Sequence, residues 1–194
     1  LFAYAGLLPW MFHSTALSNA VTSLTSNVSL LRKVYFPREI FVVTHILTAL
    51  VDYAIAAVLL LGMLLYYRIP LHASVLYLPI ILLTQIVLVT GLSLVSSIAN
   101  VAFRDIARAM PVVLQIWMLA SPVFYPLSMV PLQWRAWYAL NPMVGIIEGY
   151  RKVWLVGEPP ALNLLAISAL GAAFVFLAGY ALFRRGEEIV SDIV

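Results

Sequence analysis

The side chains in this sequence that could do chemistry are few. Asp52 is the single charged residue between Ile40 and Tyr67, and His45 and Thr48 stand seven and four positions before it. At 3.6 residues per turn the three lie along one side of a helix. A carboxylate, an imidazole and a hydroxyl in line suit a proton relay or the lining of a polar path. They equally suit hydrogen bonding to a neighbouring helix, and a lone acid with no cation beside it can be held protonated. Glu148 sits inside Gly145-Ile146-Ile147-Glu148-Gly149, whose glycine spacing permits close helix approach. The nearest acid pair, Glu187 and Glu188, falls in a charged tail.

Much chemistry is missing. No glycine-rich run is followed by Lys-Ser or Lys-Thr, so the chain has no P-loop. There is no GxSxG, no HExxH, and only 3 histidines. With 0 cysteines, disulfides, thiolate metal sites and cysteine nucleophiles are excluded. No constellation in these residues supports an enzyme, and none suggests a metal site or a cofactor held by this chain.

Composition says where such a chain can live. It has 194 residues, 64% hydrophobic and 10% charged, with mean hydropathy +1.03. An average soluble domain carries about 25% charged residues. Eleven basic and 8 acidic side chains cannot cover the surface of a soluble fold this size. A disordered chain needs the opposite balance. The net charge of +3 and the lack of a long basic run argue against a nucleic-acid partner. The remaining solvent is the lipid bilayer.

The charges fall in clusters separated by apolar stretches. A helix needs about 20 mostly apolar residues to cross the hydrocarbon core. Five spans are expected, over about 1–22, 40–66, 74–99, 110–129 and 161–183. Barrel strands would alternate in polarity; Ala56-Ala57-Val58-Leu59-Leu60-Leu61 does not. The fold class is therefore all-α, a multi-pass membrane protein. One set of connecting segments holds Arg32, Lys33, Arg38, Arg104, Arg108, Arg184 and Arg185; the other holds Arg68, Arg135, Arg151 and Lys152. The richer side is the cytoplasm. Leu1 then lies outside, and a cytoplasmic N-terminus would need one more span upstream, making six. The expectation is a single domain over 1–194 that lacks its N-terminal span.

Two segments do not read as simple spans. After the Ser-, Thr- and Asn-rich 18–27, the residues Val28, Leu31 and Tyr35 recur at helical spacing beside Arg32 and Lys33, and Pro37 ends the pattern. This is a short amphipathic helix on the cytoplasmic side. It can lie on anionic headgroups, or it can dock a cytoplasmic partner. In 126–160, Pro122, Pro126 and Pro131 break the fourth span near its outer end. Trp134, Trp137, Tyr138, Tyr150 and Trp154 follow, with Pro142 among them. Such aromatics prefer headgroup level. Two short helices meeting at Asn141-Pro142 and re-entering from the outer face are expected, over an ordinary aromatic loop.

Several runs together resemble the permease subunits of ABC-2 type transporters that export polysaccharide, O-antigen or teichoic acid. They are Gly6-Leu7-Leu8-Pro9-Trp10, Leu31-Arg32-Lys33-Val34-Tyr35-Phe36-Pro37-Arg38-Glu39, Asn100-Val101-Ala102-Phe103-Arg104-Asp105, Ser121-Pro122-Val123-Phe124-Tyr125-Pro126 and Leu140-Asn141-Pro142. At Ala102 an apolar residue stands where the family pattern leads one to expect a polar or basic one.

The resemblance implies a multi-pass subunit of a bacterial plasma (inner) membrane, six spans in all, forming a homodimer. It implies two copies of a separate cytoplasmic ATPase, which would hold ATP and Mg. It implies a lipid-linked glycan as cargo, moved outward. By the same resemblance, Leu31, Arg32, Lys33, Val34, Tyr35, Phe36, Pro37 and Arg38 form the helix that couples to the ATPase. Arg104, Asp105 and Arg108 form a second cytoplasmic loop near it. Trp134, Trp137, Tyr138, Asn141, Pro142 and Glu148 fall in the outer gate. Sugar rings stack on aromatic faces, so Trp10, Phe12, Trp117, Phe124 and Tyr125 are candidates for the path; the same residues suit a lipid-facing belt. Export of a drug or small lipid, or a non-transporting membrane scaffold, are the other readings.

Overall fold

A computed structural model describes residues 1–27 and 37–193, with side chains through Gly186. The described secondary structure is helical. In order come α1 (Phe2–Ala20), the single turn α2 (Ser23–Ser26), α3 (Glu39–Tyr66), and a 3-10 segment (Ala73–Tyr77) that leads into α4 (Leu78–Ala102). Then follow α5 (Asp105–Leu119), a 3-10 turn (Leu127–Met129), α6 (Leu132–Ala139), α7 (Pro142–Arg151) with a π turn (Lys152–Val156), and α8 (Leu162–Ile193).

Three described segments are long and apolar enough to cross a membrane: Glu39–Tyr66, Ala73–Ala102 and Leu162–Gly186. They match the second, third and fifth apolar stretches of the sequence. The first stretch forms the 19-residue α1, whose apolar character is diluted by His13, Ser14, Thr15, Ser18 and Asn19. The fourth stretch needs correcting. The helix expected over 110–129 instead spans Asp105–Leu119, 15 residues. That is about 22 Å, short of a full crossing. Asp105 in the first turn favours an earlier start by complementing the helix dipole. Pro122 disfavours helical backbone at Ser121, so the helix stops before it.

In lipid, apolar burial gives helices little reason to associate, so close packing and polar contacts must hold them. The most extensive helix pair is α4 with α8. At their crossing Gly91 lies so close to α8 that a Cβ there would stand 2.6 Å from the Phe176 Cα. On the other side, a Cβ at Gly179 would run into the Gly91 carbonyl. α1 lies along α3, with Phe12, Ala16 and Ala20 clustered with Val42, Ile46 and Ala49. Pro9 sits inside α1 and cannot donate to the helix ladder. Gln85 of α4 donates through Nε2 to the Pro9 carbonyl at 2.6 Å, tying that weakened turn to the next helix.

α7 wedges between helices on both sides. A Cβ at Gly145 would stand 2.7 Å from the Leu164 carbonyl oxygen of α8, and one at Gly149 would stand 3.2 Å from Ile81 of α4. The glycine spacing noted in the sequence thus serves contacts within the chain.

Candidate functional site

At the end of the molecule where α3 finishes and α4 begins, a proline-rich turn is caught between short helices. Residues 120–126 leave α5 without regular structure. Their carbonyls are gathered by Arg151, the last residue of α7, which is 4% exposed. The guanidinium donates to the Tyr125 carbonyl at 3.1 Å, to the Val123 carbonyl, and to Glu148 Oε1 at 3.3 Å. It also lies 4.0 Å from the centre of the Phe2 ring, a cation–π contact. Glu148 Oε1 accepts a further bond from the Leu127 amide at 3.3 Å. A planar five-donor head suits a cluster of carbonyls better than an ammonium would. Gly6 faces this head, leaving no room for a Cβ beside the Arg151 and Val123 groups.

Asn141 forms the second half of this knot. Its Oδ1 caps α7 by accepting from the Met143 amide at 3.1 Å, and accepts from the Trp117 indole at 3.1 Å. Its Nδ2 donates to Ser121 Oγ at 2.9 Å. Pro142 follows at the first helical position, where its missing N–H costs nothing. The Tyr125 and Tyr138 hydroxyls lie 2.8 Å apart. Arg135 donates to the Val130 and Ser128 carbonyls, both at 2.9 Å. Trp117, Tyr125, Tyr138, Asn141, Pro142 and Glu148 therefore belong to one connected assembly. Trp134, Trp137 and Phe124 lie on its exposed side. Arg151 was read in the sequence only as a charge. Its signal was the three-residue spacing from Glu148, which brings the two side chains together on a helix.

The remaining aromatic candidates lie deeper. Trp10 and Phe12 are buried at 4% and 2% exposure, inside the core of the chain. Trp10 meets Trp117 edge-on at 6.2 Å, and the buried His13 ring lies 4.7 Å from Trp117. Phe12 packs on Tyr53 at 5.7 Å.

His45, Thr48 and Asp52 do not form a hydrogen-bonded relay among themselves. Thr48 Oγ1 donates back to the Thr44 carbonyl at 3.0 Å. Thr48 and Asp52 are exposed, and His45 is half-buried. Asp52 lines a small cavity of about 40 Å³ between α1 and α3, with Met11, Thr15 and Ala49 among its walls. Among the described residues no group of three His, Cys, Asp or Glu is placed to hold a metal ion.

The opposite end carries the cation excess. Leu31, Arg32, Lys33, Val34, Tyr35 and Phe36 lie outside the described residues. Pro37 and Arg38 immediately precede α3, whose Glu39 pairs with Arg184 of α8 at 3.4 Å. Arg104, Asp105 and Arg108 are exposed at the start of α5, and Arg108 pairs with Asp105 at 3.0 Å. Asn100, 2% exposed, sits just behind this turn.

The sequence that folds this way matches a known family. The family model described as "ABC-2 type transporter" matches residues 2–155. The chain belongs to that family. It is 30% identical over 197 residues to the O-antigen export system permease protein RfbA of Myxococcus xanthus, covering 99% of this chain and 75% of that one. A Klebsiella pneumoniae protein of the same name is 25% identical, covering 100% of this chain and 75% of the relative. The polysialic acid transport protein KpsM of Escherichia coli is 25% identical, over 97% of this chain and 73% of the relative.

Proposed function

We propose that this chain is the membrane permease subunit of an ATP-driven exporter that moves a lipid-linked polysaccharide, of O-antigen or capsule type, from the cytoplasm outward. One observation carries this reading: the relatives that align with nearly the whole chain are named as permease and transport proteins for O-antigen and polysialic acid. Those names favour a glycan over a drug or small lipid, and a transporter over a scaffold. ATP and Mg are assigned to a separate cytoplasmic ATPase, in keeping with the lack of a P-loop in these 194 residues.

In this reading the subunit lies in the bacterial inner membrane as a multi-pass protein, with α1, α3, α4 and α8 as spans and the shorter α5 together with residues 120–126 making the remaining passage. Two copies face each other and two ATPase copies dock below. The segment from Leu31 to Arg38, with Arg104, Asp105 and Arg108, receives the ATPase. Closure of the ATPase dimer shifts the helices as rigid bodies. The outer knot around Arg151 and Asn141 acts as the gate, with α6 and α7 re-entering from the outer face. Three segments of sufficient length and the cation asymmetry support this placement. The exposed Trp134, Trp137 and Phe124 offer flat faces where sugar rings can stack.

The test is to purify the full-length protein from its native membrane and identify what travels with it by mass spectrometry. A soluble ATPase and a lipid-linked glycan are the expected companions. Recovery of a stable complex containing neither overturns the reading.

A further inference from the structure

The geometry points to Asn100 as the residue that makes the two cytoplasmic contact segments move as one unit. This rests on the proposed exporter reading and its orientation. Asn100 lies near the end of α4, 2% exposed, and its amide is used from both ends. Nδ2 donates to Thr25 Oγ1 at 3.3 Å. Oδ1 accepts from the Ala107 backbone amide at 3.1 Å.

Each partner matters for what it roots. Thr25 belongs to α2, the single turn that packs on α4 and ends one residue before Asn27. The chain then enters 28–36, the stretch assigned to ATPase coupling. Thr25 Oγ1 also donates to the Thr22 carbonyl at 3.1 Å, so its hydroxyl proton is committed and its lone pairs face Asn100. Ala107 lies in the first turn of α5. The first amides of a helix have no partner within it. Arg104, at the N-cap position of α5, makes no side-chain cap bond, and an arginine head has no acceptor with which to make one. Asn100 supplies the missing acceptor from outside, seven residues upstream. The exposed Arg104, Asp105 and Arg108 sit on the turn so capped.

One buried carboxamide thus bridges the root of the coupling segment and the charged second loop. A push on either is passed to the other and to α4 through short, directional bonds. Asn100 is a positioning residue in this account, since it does not itself reach the cytoplasmic surface.

The experiment uses the full-length permease with its cognate ATPase in proteoliposomes. Thr25→Val removes the acceptor while keeping the side-chain shape. Asn100→Asp keeps Oδ for Ala107 and loses the donor to Thr25. Each variant is expected to lower glycan exported per ATP hydrolysed several-fold, with unchanged membrane level and ATPase recovery. Combining the two should add no further loss, because both cut one link. Wild-type ratios in both single variants, or effects that multiply in the double, overturn the inference. A cargo-independent arm separates it from the exporter reading. These 194 residues hold 0 cysteines, so, with any cysteine elsewhere in the full-length protein replaced by serine, spin labels at Asn27→Cys and at the exposed Ala109→Cys report the distance between the two segments. That distance should stay fixed on ATP binding in the otherwise native protein and vary with nucleotide in Thr25→Val. A distance that varies equally in both overturns the inference, even if no glycan is transported.

Discussion

The two ends of this molecule are built on opposite principles. At the end where α3 finishes and α4 begins, Arg151 is buried and spends its donors on the carbonyls of the proline-rich turn and on Glu148. At the opposite end, Arg108 and Asp105 pair at 3.0 Å but are 86% and 88% exposed. The same chemical groups hold a shape in one place and present a surface in the other. Burial decides which, because removing one partner of a buried pair strands a charge, whereas water screens an exposed pair.

Substitutions can break this contrast. Arg151→Met should have the largest effect, leaving two carbonyls without the guanidinium donor and Glu148 without its cation, held only by the Leu127 amide. A loss of about 3–5 kcal/mol is expected, read as a steep fall in thermal stability of the detergent-solubilised full-length protein. Adding Glu148→Gln should recover part of it. If Arg151→Met melts like wild type, the knot does not hold the turn.

Gly91→Val tests whether the α4–α8 crossing is equally rigid away from either end. A side chain there meets α8 backbone, so about 1–3 kcal/mol should be lost. The same melting measurement checks it, with Gly62→Val, which meets nothing within 4 Å, as the silent control.

Asn141→Ala removes the cap of α7 and the links to Trp117 and Ser121. About 1–2 kcal/mol is expected from the cap alone. Under the proposed orientation, export should fall more than ATPase association, since the knot changes and the end bearing Arg104 and Arg108 does not. Equal losses in both would dissolve the contrast.

The smallest stability effect belongs to Arg108→Ala, under about 1 kcal/mol. Its effect should instead appear in ATPase binding and grow weaker as salt rises. A large melting shift with normal, salt-insensitive binding would show that the charged turn is structural.

The comparison also explains what could be read from the sequence. Spans α3, α4 and α8 were legible because long uncharged stretches leave little alternative in lipid. The meeting of two short helices at Asn141-Pro142 was legible from an Asn-Pro cap signature. The end of the fourth helix was misplaced because hydropathy continues through Val123, Phe124 and Leu127 while the backbone does not. Local proline sterics govern there, and composition does not record them. Gln85 and the Thr25 link of Asn100 escaped because the partners lie far along the chain, and the Arg151 bonds to the Tyr125 and Val123 carbonyls escaped for the same reason, although its spacing from Glu148 was local. Pro9 is 76 positions from Gln85, and Thr25 is 75 from Asn100. The packing of Trp10 against Trp117 and of Phe12 against Tyr53 was likewise not legible, since it too joins distant parts of the chain.

The central claim is that this chain moves a glycan with energy supplied by a separate ATPase. Its most direct test is reconstitution of the full-length protein and its cognate ATPase in proteoliposomes loaded with lipid-linked glycan. ATP should bring the glycan into reach of a glycosidase that cannot cross the membrane, and omission of either protein should abolish this. Glycan that stays protected while ATP is hydrolysed, or that crosses without the ATPase, would contradict the account.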